Sequence, residues 1–262
     1  MRHELVTRQL DEQLRARYSL GRRLRVLDVG TGRGAGALRL ARLGHHVTGV
    51  ENDPVVVAAA RANLAAEPEG VRERVRLVHG DGRDTGVHFL PGSFDVVLCH
   101  GLLMRVEEPD PLVAGLARML APGGLLSLLV RNGDALAMRP GLAGDWAGAL
   151  AALDATALLP RSRSEADGEG PAEQPAPRCR ADRLTVLTAT LDGIAAPLHA
   201  WYGVGVFTDF ADADDPGTAP LSPPSSYPAA DVPGLLDVEE RAGRTDPYRG
   251  VAALLHLCGV RG

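Results

Sequence analysis

The chain has 262 residues, 45% hydrophobic and 23% charged, enough for one large α/β domain carrying additions. Its 33 acidic residues outnumber 28 basic ones, giving a net charge of −5. That total excludes a protein that is basic overall, and leaves only a local face for a polyanion.

In chain order, residues 2 to 18 place Leu5, Val6, Leu10 and Leu14 at helical spacing, which predicts an amphipathic helix. The short apolar run "RLRVLDV" predicts a buried strand, and "GAGALRLARLG" a helix capped by Gly44. "HHVTGVE" reads as a second strand, and "DPVVVAAARANLAAE" as a second helix with Pro54 in its first turn. "RVRLVHGD" and "FDVVLCHG" follow as strands, then "DPLVAGLARMLAPGG" as a helix stopping at Pro122, then "LLSLLVRN" as a fifth strand. This alternation over residues 24 to 132 predicts a doubly wound, mostly parallel sheet with helices on both faces, and ligand contacts at the strands' C-terminal ends.

Beyond residue 132 the pattern is less regular. Residues 161–178 and 212–234 are polar and rich in Pro and Gly, and read as flexible loops. "RLTVLTATLDGI" and "LHAWYGVGVFTDF" between them look like a helix and a strand; the closing "LLDVEERAGRTDPYRGVAALLHLCGV" reads as helix, then strand. The expected organisation is a single domain over 1–262. Its core spans about 20–132, the helix 2–18 precedes it, and the C-terminal additions extend the sheet and cap its ligand edge.

All 28 basic residues are arginine, which we read with the abundant Ala, Gly and Pro as coding bias. Cys99, Cys179 and Cys258 are far apart and form no CxxC pair, so neither a zinc site nor a disulfide framework is expected. The start "MRHELVTRQL" lacks the apolar stretch of a secretory leader, and no run approaches the length of a membrane span. The expectation is a cytoplasmic protein with no membrane partner.

The chemistry concentrates at the first turn, "DVGTGRG". Gly30, Gly32 and Gly34 allow positive φ and close approach of a ligand to the backbone, with Thr31 between them and Asp28 at the strand's end. A dinucleotide fold calls for GxGxxG spacing; GxGxG shifts the odds away from NAD. Glu51, ending the second strand, suits a ribose diol. In "GDGRD", Asp81 can accept from an adenine amino group while the N–H of Gly82 or Arg83 meets a ring nitrogen. Together these residues describe a pocket for adenine and ribose without a pyrophosphate.

"VLDVGTGRG", "VTGVEND", "VHGDGRD", "FDVVLCHG" and "LAPGGLLSLL", in this order, resemble the class I S-adenosylmethionine-dependent methyltransferases. The resemblance implies that the glycine turn holds the methionine part of S-adenosylmethionine and Glu51 the ribose. A narrower resemblance is to the bacterial tRNA 5-carboxymethoxyuridine methyltransferase group, which methylates a carboxylate on a wobble uridine. It is carried by Arg2 with "LVTRQLDEQL", by "HGLLMRVEEP", by "LSLLVRN", and by the C-terminal portion with Glu239, Arg241, Pro247 and Tyr248. It implies that Arg2 and His100 contact the cofactor, Arg2 at the methionine carboxylate.

The sequence departs from that group at Gly205, where the group has arginine, and at Met104 and Arg105. It also departs in the mixed stretch 161–174, and the stretch around Ser222 to Ser226 looks inserted. Arg131, Arg139, Arg161, Arg163, Arg178, Arg180 and Arg183 could supply phosphate contacts in compensation.

The expected acceptor is a modified tRNA or a carboxylate-bearing small molecule. The alternatives are a metabolite methyltransferase and a non-catalytic nucleoside-binding protein of the same fold. A carboxylate acceptor needs no general base, and none is assigned. For an amine or hydroxyl acceptor, His100, Asp134 and Tyr248 are candidates. Arg241 or Arg249 could pair with an acidic acceptor, and Trp201, Tyr202, Phe207 and Phe210 could stack on a ring.

Overall fold

The computed structural model describes residues 1–159, 180–208 and 232–262. Seven strands form one sheet in the order β3-β2-β1-β4-β5-β7-β6. They are β1 (Arg25–Val29), β2 (His46–Glu51), β3 (Val75–His79), β4 (Phe94–His100), β5 (Leu120–Arg131), β6 (Leu198–Val204) and β7 (Leu254–Val260). β1 pairs in parallel with β2 and β4, β2 with β3, and β4 with β5. β7 runs antiparallel to β5, because Gly123 bonds to Arg261 at one end and Asn132 to Ala253 at the other. The same reversal holds between β6 and β7, through Val260 to Pro197 and Ala253 to Gly205. The doubly wound, mostly parallel sheet expected from the alternation is therefore present. Its order reverses beside β1, which marks a topological switch point.

The chain divides into two compact units. One comprises Arg17–Leu129, Thr190–Ala200 and Leu257–Gly262; the other comprises Met1–Ala16, Val130–Ala189 and Trp201–His256.

In the first of these, β4 is buried at every position but its last, as a parallel strand covered on both faces must be. Around β1 stand α2 (Ala35–Arg42), α3 (Pro54–Ala65), α4 (Glu69–Arg72), α5 (Thr85–His88) and α6 (Pro109–Met119). Each long helix starts and stops for a local reason. Asp53 caps α3 by accepting the Val55 and Val56 N–H groups at 2.8 and 3.3 Å, and Pro54 follows in the first turn, where no N–H is needed. α2 ends at Arg42, and Gly44 beyond it takes φ 97°, closing the helix as expected.

One boundary differs from the sequence reading. α6 stops at Met119, not Pro122, and Leu120–Gly124 already belong to β5, with Leu120 opposite Phe94 and a register shift before Val96. Tertiary pairing overrides the helical periodicity here. A Cβ at Gly124 would stand 2.8 Å from the Ala121 carbonyl on its own strand and 3.0 Å from the Asp95 carbonyl on β4, so the close approach of the two strands requires glycine.

At the N-terminal end of β4, buried Asp95 accepts from the Arg25 N–H at 2.9 Å, from Arg25 Nε at 3.4 Å and from Arg22 Nη2 at 2.8 Å, while Tyr18 Oη donates to its carbonyl at 2.6 Å. Burial alone would push the Asp95 carboxyl up, but the Arg25 amide and the Arg25 and Arg22 guanidinium groups together hold it below the ordinary carboxylate range.

In the other unit, α1 (Arg2–Arg17) buries Leu5, Val6, Leu10 and Leu14, as its spacing predicts. Gln9 and Gln13 share that buried stripe. Gln9 Nε2 donates to the Gly203 carbonyl and its Oε1 meets His256 Nδ1 at 2.8 Å, while Gln13 Nε2 donates to Tyr202 Oη at 2.6 Å. Residues 133–159, to which the sequence reading gave no element, form α7 (Met138–Leu142) and α8 (Trp146–Leu158), the second capped by Asp145 through the Gly148 N–H at 2.8 Å.

α9 (Leu184–Gly193) and α10 (Val232–Ala242) complete the described helices. The expected loop 161–178 lies outside the described residues, and of the expected loop 212–234 only 232–234 are described. They form the first turn of α10, where Pro233 is tolerated.

Because the Asp95 pair sits below its unfolded pKa, its contribution is present above about pH 4 and is lost as pH falls through the lower folded value. Asp95→Asn should therefore lower stability at pH 7 by about 1–2 kcal/mol in urea unfolding, with half-exposed arginines limiting the size. The gap between variant and parent should close as pH is taken toward 3. A gap that stays constant with pH would remove the ion pair from the account.

Candidate cofactor site

The turn after β1 reverses in steps. Gly30, Gly32 and Gly34 have φ of 74°, 57° and 83°, left-handed at alternate residues, which is why glycine recurs every second position. The Gly30 and Thr31 N–H groups both donate to the Val50 carbonyl on β2, at 2.9 and 3.1 Å. Space is open where a side chain at Gly32 would stand.

Thr31 Oγ1 donates to Asp28 Oδ2 at 2.7 Å. Asp28 is buried, and burial pushes its carboxyl up to about 6; the Thr31 hydroxyl opposes this and the Glu51 charge adds to it. Glu51 is half-buried and fixed by backbone donors: the Gly32 N–H on Oε2 at 3.0 Å, and those of Asn52 and Asp53 on Oε1 at 3.0 and 3.2 Å.

The turn after β3 packs against the end of β1 so closely that a Cβ at Gly82 would lie 2.5 Å from Val29 Cγ1. Asp81 caps the single turn Gly82–Asp84 by accepting the Arg83 N–H at 2.8 Å, so that amide is engaged within the turn itself. The Arg83 guanidinium also binds Asp81, by Nε at 3.1 and 3.0 Å and Nη2 at 2.6 Å. With the amide it holds the Asp81 carboxyl below the ordinary range.

His100 ends β4, and its Nε2 lies 2.8 Å from Ser127 Oγ. Ser127 was not singled out from sequence. The signal was there, a hydroxyl inside the apolar run "LLSLLV" on a strand buried on both faces. Its neighbour Cys99 is pushed up to about 12 by burial and by the Asp28 charge, so it is a packed thiol and not a nucleophile.

Asp28, Gly30, Thr31, Gly32, Glu51, Asp81, Gly82, Arg83 and His100 thus all stand at the C-terminal ends of β1 to β4, around the switch point, in one unit. Arg2, half-exposed on α1, belongs to the other unit.

In that other unit, several candidates for acceptor contacts have partners already. Asp134 pairs with Arg183 at 2.5 Å. Arg249 pairs with Asp246 at 2.7 Å and stacks over Trp201 at 3.9 Å. Arg139 donates to the Gly205 and Val206 carbonyls. Glu239 is buried and accepts the Val206, Phe207 and Thr208 N–H groups at 2.8, 2.9 and 2.6 Å, so it holds the loop after β6. Tyr248 and Phe207 are exposed. Met104, on the segment after β4, is buried core, whereas Arg105 beside it is exposed. Arg161, Arg163, Arg178, Phe210 and the Ser222–Ser226 stretch lie outside the described residues.

The family model for a methyltransferase domain matches residues 27–128, from the end of β1 into β5. The tRNA 5-carboxymethoxyuridine methyltransferase of Escherichia coli is 36% identical over 124 residues, 47% of this chain and 46% of that protein. The ubiquinone biosynthesis O-methyltransferase of Xanthomonas euvesicatoria pv. vesicatoria is 37% identical over 108 residues, 41% of this chain and 43% of that protein. The matches span less than half the length of these curated relatives.

Magnesium protoporphyrin IX methyltransferase from Synechocystis PCC 6803, solved with bound SAH, superposes with a TM-score of 0.60 at 16% identity. The superposition covers 100% of this chain and 84% of that one, and it shows the shared fold.

The raised Asp28 carboxyl binds its proton more tightly folded than unfolded, so its ionisation lowers stability as pH rises from about 4 to 6. Asp28→Asn removes that ionisation, and variant minus parent stability should grow across this window, by roughly 2–3 kcal/mol in chemical denaturation. Parallel pH curves would contradict the burial of an ionisable Asp28.

The turn, the strand ends and the matched segment agree: residues 27–128 of this chain match the family model for a methyltransferase domain, on a doubly wound, mostly parallel sheet.

Proposed function

We propose that the chain transfers a methyl group from S-adenosylmethionine to a carboxylate, borne by a modified tRNA wobble uridine. The carrying observation is the convergence of Asp28, Glu51 and Asp81 on the strand ends around a backbone-open glycine turn. The residues present fit the cofactor. A buried carboxylate raised to about 6 is relieved by a cation. Glu51, oriented by three N–H groups, has acceptor capacity left on Oε2 for a ribose hydroxyl. Asp81 addresses an adenine amino group. When bound, S-adenosylmethionine supplies an activated methyl group on a positively charged sulfur.

The chain's own part is then binding, orientation and exclusion of water. Ser127 fixes the His100 ring at the end of β4, which makes His100 a positioning contact in this reading. Arg2 is assigned to the methionine carboxylate. An acceptor carboxylate is ionised at neutral pH, so no residue has to remove a proton from it.

The tRNA acceptor is supported by the partial identity to the Escherichia coli enzyme. A small-molecule acceptor is the second reading, favoured by the net charge of −5 and by the ubiquinone O-methyltransferase relatives. The domain layout, one catalytic core with C-terminal additions serving the acceptor, is part of this proposal, as is action in the cytoplasm.

Calorimetry with S-adenosylhomocysteine should show binding, with NAD as a non-binding control. Glu51→Gln should weaken it by about 1–3 kcal/mol. Unchanged affinity would remove Glu51 from the ribose. Nucleoside analysis of tRNA from a deletion strain should show the wobble-uridine methyl ester lost; an unaltered level would reject tRNA in favour of the small molecule.

A further inference from the structure

Arg83 occupies the acceptor positions of the Asp81 carboxylate. Oδ1 receives the Arg83 N–H at 2.8 Å and Nε at 3.1 Å; Oδ2 receives Nε at 3.0 Å and Nη2 at 2.6 Å. Three N–H groups thus lie on the carboxylate, and the single Nε–H is shared between both oxygens, so the two-pronged guanidinium covers both and an incoming amino group competes with it for them. The backbone bond is built into the turn Gly82–Asp84 and stays. The guanidinium is different, because the Arg83 side chain is 69% exposed and its long stem can carry the head into solvent.

We propose that Arg83 is an internal competitor for the nucleoside site: its guanidinium sits on Asp81 where a purine amino group would bind, and leaves when the ring enters. The proposal rests on the assignment of Asp81 to adenine given above.

Two consequences follow from the chemistry. The competitor acts only against ligands that donate an N–H to Asp81, so Arg83 tunes affinity for amino-purine nucleosides and not for purines lacking the amino group. Its hold is electrostatic and exposed, so salt weakens it and the site opens as ionic strength rises. An exposed pair is a weak competitor, and the expected effect is about two- to fivefold in affinity.

The test titrates the full chain, as parent, Arg83→Met and Arg83→Lys, with S-adenosylhomocysteine and with its analogue lacking the 6-amino group, at low and high sodium chloride. Arg83→Met should bind S-adenosylhomocysteine about two- to fivefold tighter than the parent at low salt. The analogue should show no such gain. The parent should approach the Met variant as salt rises, with Arg83→Lys in between, since lysine keeps the charge but loses the two-pronged geometry.

Weaker binding by Arg83→Met, an equal gain for both ligands, or a gain that ignores salt would overturn the proposal. A parent that binds neither ligand would instead overturn the nucleoside reading itself. Thermal unfolding of each variant, expected to match the parent, separates these outcomes from a folding defect.

Discussion

The Gly32 N–H reaches from the turn after β1 to the Glu51 carboxylate at the end of β2, and the site is organised around that bond. It is possible only because Gly30, Gly32 and Gly34 are left-handed in alternation, which turns successive N–H groups toward β2. Two of those groups share the Val50 carbonyl, and the third takes Glu51. The same turn sets Thr31 so that its hydroxyl faces Asp28. A side chain at any of the three glycines would strain the backbone by its φ alone, whatever the room around it.

The acids at the two ends of the sheet show opposite physics. Asp95, at the N-terminal end of β4, is surrounded by an amide and two guanidinium groups, and its carboxyl is held low. Asp28, at the C-terminal end of β1, has a hydroxyl for a partner and a second carboxylate nearby, and its carboxyl is held high. The first arrangement is complete within the fold. The second leaves a charge unmatched by the protein, which is the electrostatic mark of a place where a ligand belongs.

Much of this was legible in the sequence because it depends on short-range rules. The five strands and the three long helices of residues 24–132 follow from apolar runs, caps and periodicity, and Asp53 and Gly44 sit where such caps must sit. The strand-end acids were legible because a parallel sheet gathers strand ends by topology alone. What escaped depends on long-range partners. Leu120 and Ala121 read as the end of a helix until paired with β4, and Ser127 has no meaning without His100 from the neighbouring strand. Gln9 and Gln13 interrupt an apolar stripe whose polar partners, His256 and Tyr202, lie roughly two hundred residues away. The pairing of Asp81 with Arg83 is local, yet "DGR" permits many rotamers, and only the folded turn singles out the one that covers both carboxylate oxygens.

The poorly matched charge of Asp28 reaches beyond recognition. A fold that carries a buried anion at neutral pH is less stable empty than it is beneath a cation, and occupancy raises resistance to unfolding by mass action. Under the proposed function, scarcity of the methyl donor would then enlarge the unfolded fraction open to proteases, and the abundance of the protein would follow the supply of its ligand.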